Sequence, residues 1–320
     1  MILIIGHRKD PHVSAVTREL RRVGHLFTII DSYSKLGDGL HHRVASGVTL
    51  DIGGMDKILL SEVTAVWWRQ KPKFAIPAET PSALYDYFFV HREWNQIIDY
   101  LGAETRHVFS INDRDRAAAA NNKLVQLKLA AAAGLEIPRT LVSNDSDSIV
   151  KFVEDSVNKR YIFKPFTPYM PPTGLITFTS LVDAATLLAA RDSLSVSPGI
   201  FQEFVEKQCE LRISVVGDEV FAARINSKYS IHSEVDWRQD QFNDMYAVHE
   251  IDGTFAERLL AFHRKLGLFF AAYDFVVNKD GKLVFLEVNP AGQWMWLELR
   301  LNLPISERIA TALANPPGID

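Results

Sequence analysis

FLEVNPAGQW, residues 285–294, is the stretch on which the reading of this chain turns. It starts inside an apolar run, Leu283 to Val288, that carries a single carboxylate, Glu287. Strand side chains alternate, so Asn289 falls on the face of Glu287. Pro290 and Gly292 then end the strand. Just upstream, YDFVVNKDGKLVFLE (273–287) sets another acid, Asp274, in a second apolar strand. Asp280-Gly281 between the two runs is a hairpin signal. Closing that hairpin brings Asp274 beside Glu287 and Asn289. Two carboxylates and an amide oxygen on one sheet face make a hard-oxygen site. Mg²⁺ favours such sites and leaves its other positions to water and phosphate. The plain alternative is an acid paired with a neighbouring arginine and an asparagine that belongs to the turn.

Composition narrows the classes of function. The 320 residues are 47% hydrophobic and 23% charged, a globular balance with room for two or three domains. A net charge of −4 gives no reason to expect nucleic acid as a partner. Cys209 is the only cysteine, which excludes an intrachain disulfide and suits a reducing, cytoplasmic setting. MILIIGHRKD opens directly on a strand and lacks the features of a signal peptide. No run of about 18 apolar residues is present, so no membrane span is expected.

The N-terminal part reads as alternating strand and helix. ILIIG (2–6), a helical pattern through Val13, Val16, Leu20 and Val23, and HLFTIID (25–31) form a βαβ start and argue a parallel sheet. The glycine after Gly6 is Gly24, so GxGxxG is missing and a nicotinamide cofactor is disfavoured. AVWWR (65–69) is a buried strand ending in Arg69, either a surface charge or a substrate or interdomain residue, before the loop QKPKFAIP. Residues 80–101 carry a helical apolar stripe, and HVFSIN (107–112) is the next strand. The alanine-rich stretch from Arg114 reads as a helix stopped at Gly134, and 145–157 as a second helix capped by Asp145 or Ser146.

Charged residues in the second half sit in apolar surroundings. Lys164 lies in the strand YIFKPF (161–166), where an unpaired ammonium is costly and an anion such as a triphosphate relieves the cost. TPYMPPTG (167–174) then turns to a return strand, LITFTS (175–180), and a helix over 182–191. GIFQEFV ends in Glu206, and ELRISVVGDEVFAARINS is a hairpin about Gly217-Asp218. That turn brings Arg224 close to Arg212, and two neighbouring cations favour an anion between them; two arginines on a solvated face are the alternative. The chain has no P-loop, HExxH, CxxC or GxSxG, and its histidines show no zinc-ligand spacing.

The D-(x)12-E-x-N pattern resembles the metal-binding end of the ATP-grasp ligases. EVNPAGQWMWLE (287–298) and Asp236-Trp237-Arg238 resemble one branch, the graspetide enzymes that close side-chain rings in microviridin-type peptides. The resemblance implies an α/β ATP-grasp fold: a Rossmann-like domain at 1–112, a central lobe at 113–198 and a C-terminal lobe at 199–320. It implies Lys123 and Lys164 at the ATP phosphates, Glu203 with the linker Phe204–Val205–Glu206 at adenine, and Glu206 or Glu210 at ribose. It implies two Mg²⁺ on Asp274, Glu287 and Asn289, and Arg212 and Arg224 gripping carboxylate and acyl phosphate. The single glycine of 167–174 departs from the Gly-rich loop of many members. The implied reaction joins Asp or Glu side chains of a leader-bearing precursor peptide to Ser, Thr or Lys, with the leader docked at the 199–227 hairpin and its neighbouring helices. An amino-acid ligase and an inactive nucleotide-binding module are the alternatives. A homodimer is kept as an expectation, although the sequence itself does not give the oligomeric state.

Overall fold

The computed structural model describes residues 1–30, 40–41, 49–52, 58–69, 83–155, 160–167, 179–226 and 246–318. The loop QKPKFAIP, the 167–174 turn after Thr167, residues 175–178 and Asp236–Arg238 lie outside them.

Aliphatic residues at every position of β1 (Ile2–Ile5) are buried, as a central strand of a parallel sheet requires. Asp10 then caps α1 (Pro11–Arg22), with Pro11 in the first turn where its missing N–H costs nothing. β2 (Phe27–Ile30) follows. β3 (Leu40–His41), β4 (Thr49–Ile52) and β5 (Ile58–Leu59) form a small antiparallel sheet. β6 (Ala65–Trp68), α2 (Ala83–Glu104) and β7 (Phe109–Ile111) come next. The first large sheet is parallel throughout, in the order β2-β1-β6-β7, and fulfils the βαβ expectation.

The alanine-rich stretch is two helices, not one: α3 (Arg114–Ala120) and α4 (Lys123–Ala132). The cause is Asn122, whose side-chain oxygen accepts from the Leu124 N–H at 2.9 Å and the Val125 N–H at 3.3 Å. Asparagine competes with the helix for its own backbone, so alanine propensity does not carry through Asn121-Asn122. Lys123 thereby opens a helix instead of sitting inside one.

β8 (Thr140–Ser143), α5 (Ser146–Glu154), β9 (Tyr161–Lys164), β10 (Ser180–Val182), α6 (Ala184–Ala189), α7 (Arg191–Leu194) and β11 (Gly199–Glu203) make the central part. Asp145 is the cap of α5. The sheet order is β10-β9-β11-β8, antiparallel. Ile149, Val153, Tyr161, Leu187 and Phe201 form the core between one sheet face and α5 and α6. By alternation the other face carries Thr140, Ile162, Lys164, Ile200 and Gln202.

β12 (Lys207–Val216), β13 (Glu219–Ile225), β14 (Tyr246–Val248), α8 (Gly253–Leu266), β15 (Phe270–Asn278) and β16 (Leu283–Asn289) follow. Their sheet runs β14-β13-β12-β15-β16, antiparallel. Leu211, Ile213, Tyr273 and Phe285 face the core formed with α3, α4 and α8. α9 (Met295–Leu301) and α10 (Ile305–Ala314) end the chain. α10 returns to α1 and β6, and Ile305, Ile309 and Leu313 share a core with Ile2, Ile4, Trp67 and Trp294. The last helix is thus packed against the first sheet.

His263 of α8 bonds through Nδ1 to the Tyr273 hydroxyl at 2.6 Å, while its Nε2 is buried with no hydrogen-bond partner. Burial holds this imidazole at about 4, against an ordinary value of 6.5. The unfolded chain therefore takes up a proton below about pH 6.5 that the folded chain refuses until about pH 4. Stability is flat above that window and falls as pH drops through it. Urea unfolding is expected to show a loss of about 2 kcal/mol between pH 7.5 and pH 5 from this group. In His263→Gln the loss shrinks by that amount; an unchanged pH dependence would assign it to other groups.

Candidate active site

The hairpin of β15 and β16 is built around Gly281, whose φ of +79° a side chain would resist. Asn278 fixes the turn by accepting from the N–H groups of Asp280 and Lys282 at 3.0 and 2.8 Å. From the turn, Leu283 pairs with Val277, Val284 with Val276 and Phe285 with Phe275. The register then slips by one residue, and Asp274 pairs with Glu287 instead of Leu286. This is a β-bulge, and it decides the site. A one-residue slip moves all following side chains to the other face. Leu283, Phe285 and Val288 pack into the helix-side core, a spacing of two and then three residues. Glu287 and Asn289 therefore join Asp274 on the open face, Asn289 opposite Ala272. β16 is an edge strand, and α4 covers it. Gln126 donates to the Val288 carbonyl at 2.8 Å and accepts from the Val288 N–H at 3.1 Å. That amide pins the strand midway between Glu287 and Asn289.

Arg212 on β12 lies across from Asp274 and donates to it through Nη1 at 2.8 Å. Its Nη2 donates to the Gln293 carbonyl at 3.2 Å, and its Nε is buried with no hydrogen-bond partner. Both residues are less than a tenth exposed. Gly292 is packed beneath: a Cβ there would meet the Ala272 side chain and come within 2.8 Å of Arg212 Nη2.

Arg224 does not share this place. The Gly217-Asp218 turn pairs Arg212 with Ala223 and Arg224 with Leu211. Leu211 faces the helix-side core, so Arg224 leaves β13 on the opposite face from Arg212. It is exposed and bonds its Nε to Asn226 at 3.1 Å. The expectation of one anion held between the two arginines is corrected: the group across from Arg212 is a carboxylate.

Both lysines expected at phosphate converge on the end of β9. Lys164 closes the strand on the face opposite α5 and α6. Lys123 reaches the next residue, donating from Nζ to the Pro165 carbonyl at 2.9 Å. Glu203 closes β11 across from Tyr161, on the helix-side face. Phe204, Val205 and Glu206 link β11 to β12; the Phe204 N–H is held by the Arg160 carbonyl at 2.9 Å and its ring lies under the Arg160 guanidinium. Glu206 is turned to an ion pair with Lys279, which holds its carboxyl below the ordinary value. Glu210 is buried on the face of Arg212 and pairs with Lys207 at 2.5 Å. The Lys164→Ala variant is expected to bind ATP about ten- to a hundredfold more weakly, the scale of a charge-assisted contact. Unchanged affinity by calorimetry would make Lys164 an ordinary surface lysine.

Arg69 ties the end of β6 to the connection that follows β16. It is 3% exposed, donates through Nε to Asp10 at 3.1 Å and through Nη1 to the Ala291 carbonyl at 2.5 Å. Asn112 makes a second tie, donating to the carbonyls of Phe270 and Pro290 at 2.7 and 2.9 Å and accepting from the N–H groups of Phe269 and Phe270. A cavity of about 470 Å³, bordered by Trp68, Arg69, Asn112, Arg114 and Ala291, opens beside these ties. Sequence reasoning did not single out Asp10, His12, Asn112 or Gln126. The one local signal was Asp10-Pro11, a helix-start pair.

Two antiparallel sheets, each with one helix-packed face, one ending in Lys164 with Lys123 of α4 reaching its end and the other bearing a carboxylate-amide cluster with a buried arginine, define a nucleotide-dependent ligase of the ATP-grasp class. Residues 120–313 match the RimK-like ATP-grasp domain, more than half of the chain, and the chain belongs to that family. Among solved structures it is similar to the macrocyclase MdnC of Microcystis aeruginosa bound with the precursor peptide MdnA: 27% identity, TM-score 0.85, covering 98% of this chain and 100% of that one. It is similar to a Chryseobacterium gregarium RiPP-associated ATP-grasp ligase in complex with ADP and a leader and core peptide: 25% identity, TM-score 0.87, 99% and 97% covered. Macrocyclase MdnB of Microcystis aeruginosa matches at 27% identity and TM-score 0.80, with 98% and 99% covered. No curated protein sequence matches the chain. Among the described residues no helix is long and apolar enough to cross a membrane.

Proposed function

We propose that this ATP-grasp ligase is a peptide macrocyclase that forms side-chain ester or amide crosslinks in a ribosomally made precursor. The observation that carries the proposal is the match to a precursor-bound macrocyclase over 98% of this chain and 100% of that one. In the proposed reaction an Asp or Glu side chain of the peptide attacks the γ-phosphorus of ATP, and ADP leaves. A Ser or Thr hydroxyl or a Lys amine then attacks the acyl carbon, phosphate leaves and the nucleophile's proton is lost. Arg212, a buried guanidinium whose Nε has no hydrogen-bond partner in the protein, holds the negative charge of the reacting carboxylate and acyl phosphate. Arg224 has no part in this. Lys123 and Lys164 hold the ATP phosphates, and the Glu203–Glu206 segment lines the adenine. Glu206 or Glu210 serves the ribose; Glu210 shares the face of Arg212, and each is ion-paired, Glu206 with Lys279 and Glu210 with Lys207.

Asp274, Glu287 and Asn289 fit a hard cation. Their oxygens are the donors Mg²⁺ takes, and among the described residues no cluster of three or more His, Cys, Asp or Glu side chains suggests another metal. Two Mg²⁺ ions there would offset charge on the transferring phosphoryl group. Three units, 1–112, 113–198 and 199–320, are proposed to act together. The leader is proposed to dock at the 199–227 hairpin and the helices beside it, where Val248 and Leu299 expose apolar side chains. A cytoplasmic homodimer completes the reading, and the lone cysteine, Cys209, is buried and reduced. Mass spectrometry of a co-expressed candidate precursor tests it: one water is lost per ring. Turnover of a free amino acid in place of the peptide would instead support an amino-acid ligase.

A further inference from the structure

We infer that Asp10, His12 and Arg69 form a positioning relay that grips the 290–295 connection from the first sheet and so keeps Arg212 and the Asn289 end of β16 in place. The inference rests on the function proposed above. All three residues are buried, 8%, 4% and 3% exposed. Asp10, the cap of α1, accepts from the His12 N–H at 2.9 Å and from its ring Nδ1 at 2.7 Å, and from Arg69 Nε at 3.1 Å. His12 Nε2 faces two further backbone donors, the N–H groups of Trp294 at 3.0 Å and Met295 at 3.3 Å. With N–H groups aimed at it, Nε2 must carry the lone pair, so the ring proton sits on Nδ1 and is given to Asp10.

The contact serves a helix that lacks its own cap. Trp294 precedes α9 and makes no side-chain capping bond, and His12 supplies the acceptor from 282 residues away. Arg69 adds its bond to the Ala291 carbonyl and lies over the Trp294 indole, 5.2 Å from the ring centroid. Residues 291, 294 and 295 are thus held from one side. From the other, the Gln293 carbonyl between them holds Arg212 Nη2. Movement of this connection displaces Arg212 and the end of the strand that carries Asn289.

The charged groups facing the His12 ring are Asp10, Arg69 and, from α9, Glu298. Burial pushes His12 down, with the Asp10 hydrogen bond opposing it. Burial also disfavours the Asp10 carboxylate, but the His12 bonds and the Arg69 charge outweigh this and keep it below its ordinary value. A proton on Nε2 would turn the acceptor into a donor against two N–H groups and set a positive charge at a helix N-terminus. The relay works with neutral His12.

Hydrogen exchange over residues 290–297 of the ligand-free protein, read by mass spectrometry, tests the grip, and ADP formation with a precursor peptide tests the positioning. In His12→Ala, protection of this segment is expected to fall by about tenfold, the scale of one lost buried hydrogen bond. The kcat is expected to fall about ten- to a hundredfold, while KM for ATP stays within about threefold, because Lys123 and Lys164 stand elsewhere. His12→Gln, whose amide oxygen can take the place of Nε2, restores protection and most of kcat. Acidification lowers protection in the wild type and not in His12→Gln, a comparison that stands even where His12→Ala fails to fold. Unchanged protection in a folded His12→Ala, lost protection with full kcat, or no difference between the two variants would overturn the relay. Absence of ADP formation by the wild type with every peptide would sink the ligase reading, and the exchange data would still report on the grip.

Discussion

Glu287→Gln is expected to lower ADP formation by at least about a hundredfold with the fold intact, the scale of removing one electrostatic contact to a developing charge. The bulge at Leu286 sets Glu287 directly across from Asp274, so two carboxylates face each other on adjacent strands. Like charges in that position repel, and Arg212 donates to Asp274. Removing the Glu287 charge takes an anionic ligand from the cation site. Asp274→Asn should lose activity alike, although it also weakens the Arg212 contact. Near-normal ADP production by both variants at moderate Mg²⁺ would remove the metal assignment.

The two arginines of the hairpin provide the second large contrast. Arg212→Lys is expected to lower kcat by about a hundredfold, because one ammonium cannot serve Asp274, the Gln293 carbonyl and a reacting oxyanion from a single planar fork. Arg224→Ala is expected to stay within about threefold of wild type, as a solvent-exposed charge on the far face of the sheet does. The pairing of Arg224 with Leu211 carries this expectation. Equal losses in both variants would return Arg224 to the site.

What the sequence made legible follows from the range over which each signal acts. Apolar runs and turn pairs are local, so β1, α1, the Gly217-Asp218 hairpin and the Asp280-Gly281 hairpin could be placed from composition and alternation alone. The cluster of Asp274, Glu287 and Asn289 was reached, but by a path that omitted a step. Strict alternation from the Asp280-Gly281 turn would set Glu287 against Tyr273, on the core face. A single extra residue, Leu286, reverses that, and nothing in FLEVN marks it. The Arg212 and Arg224 expectation failed for the same reason in reverse, since nearness along a hairpin was taken without counting which face each residue leaves. Helix propensity likewise overrode Asn121-Asn122, where a cap breaks the helix and sets Lys123 at its start. Asp10, His12 and Gln126 act across separations of 59 to 282 residues, and no local pattern carries such a pairing.

The central claim is that this chain activates peptide side-chain carboxylates as acyl phosphates to close rings. It is tested most directly with a precursor peptide whose Asp and Glu carboxyl oxygens carry a heavy isotope. The account predicts that each ring closed yields one ADP, one water lost from the peptide, and one labelled oxygen delivered into inorganic phosphate. Label retained in the peptide while rings form, or AMP and pyrophosphate in place of ADP and phosphate, would contradict it.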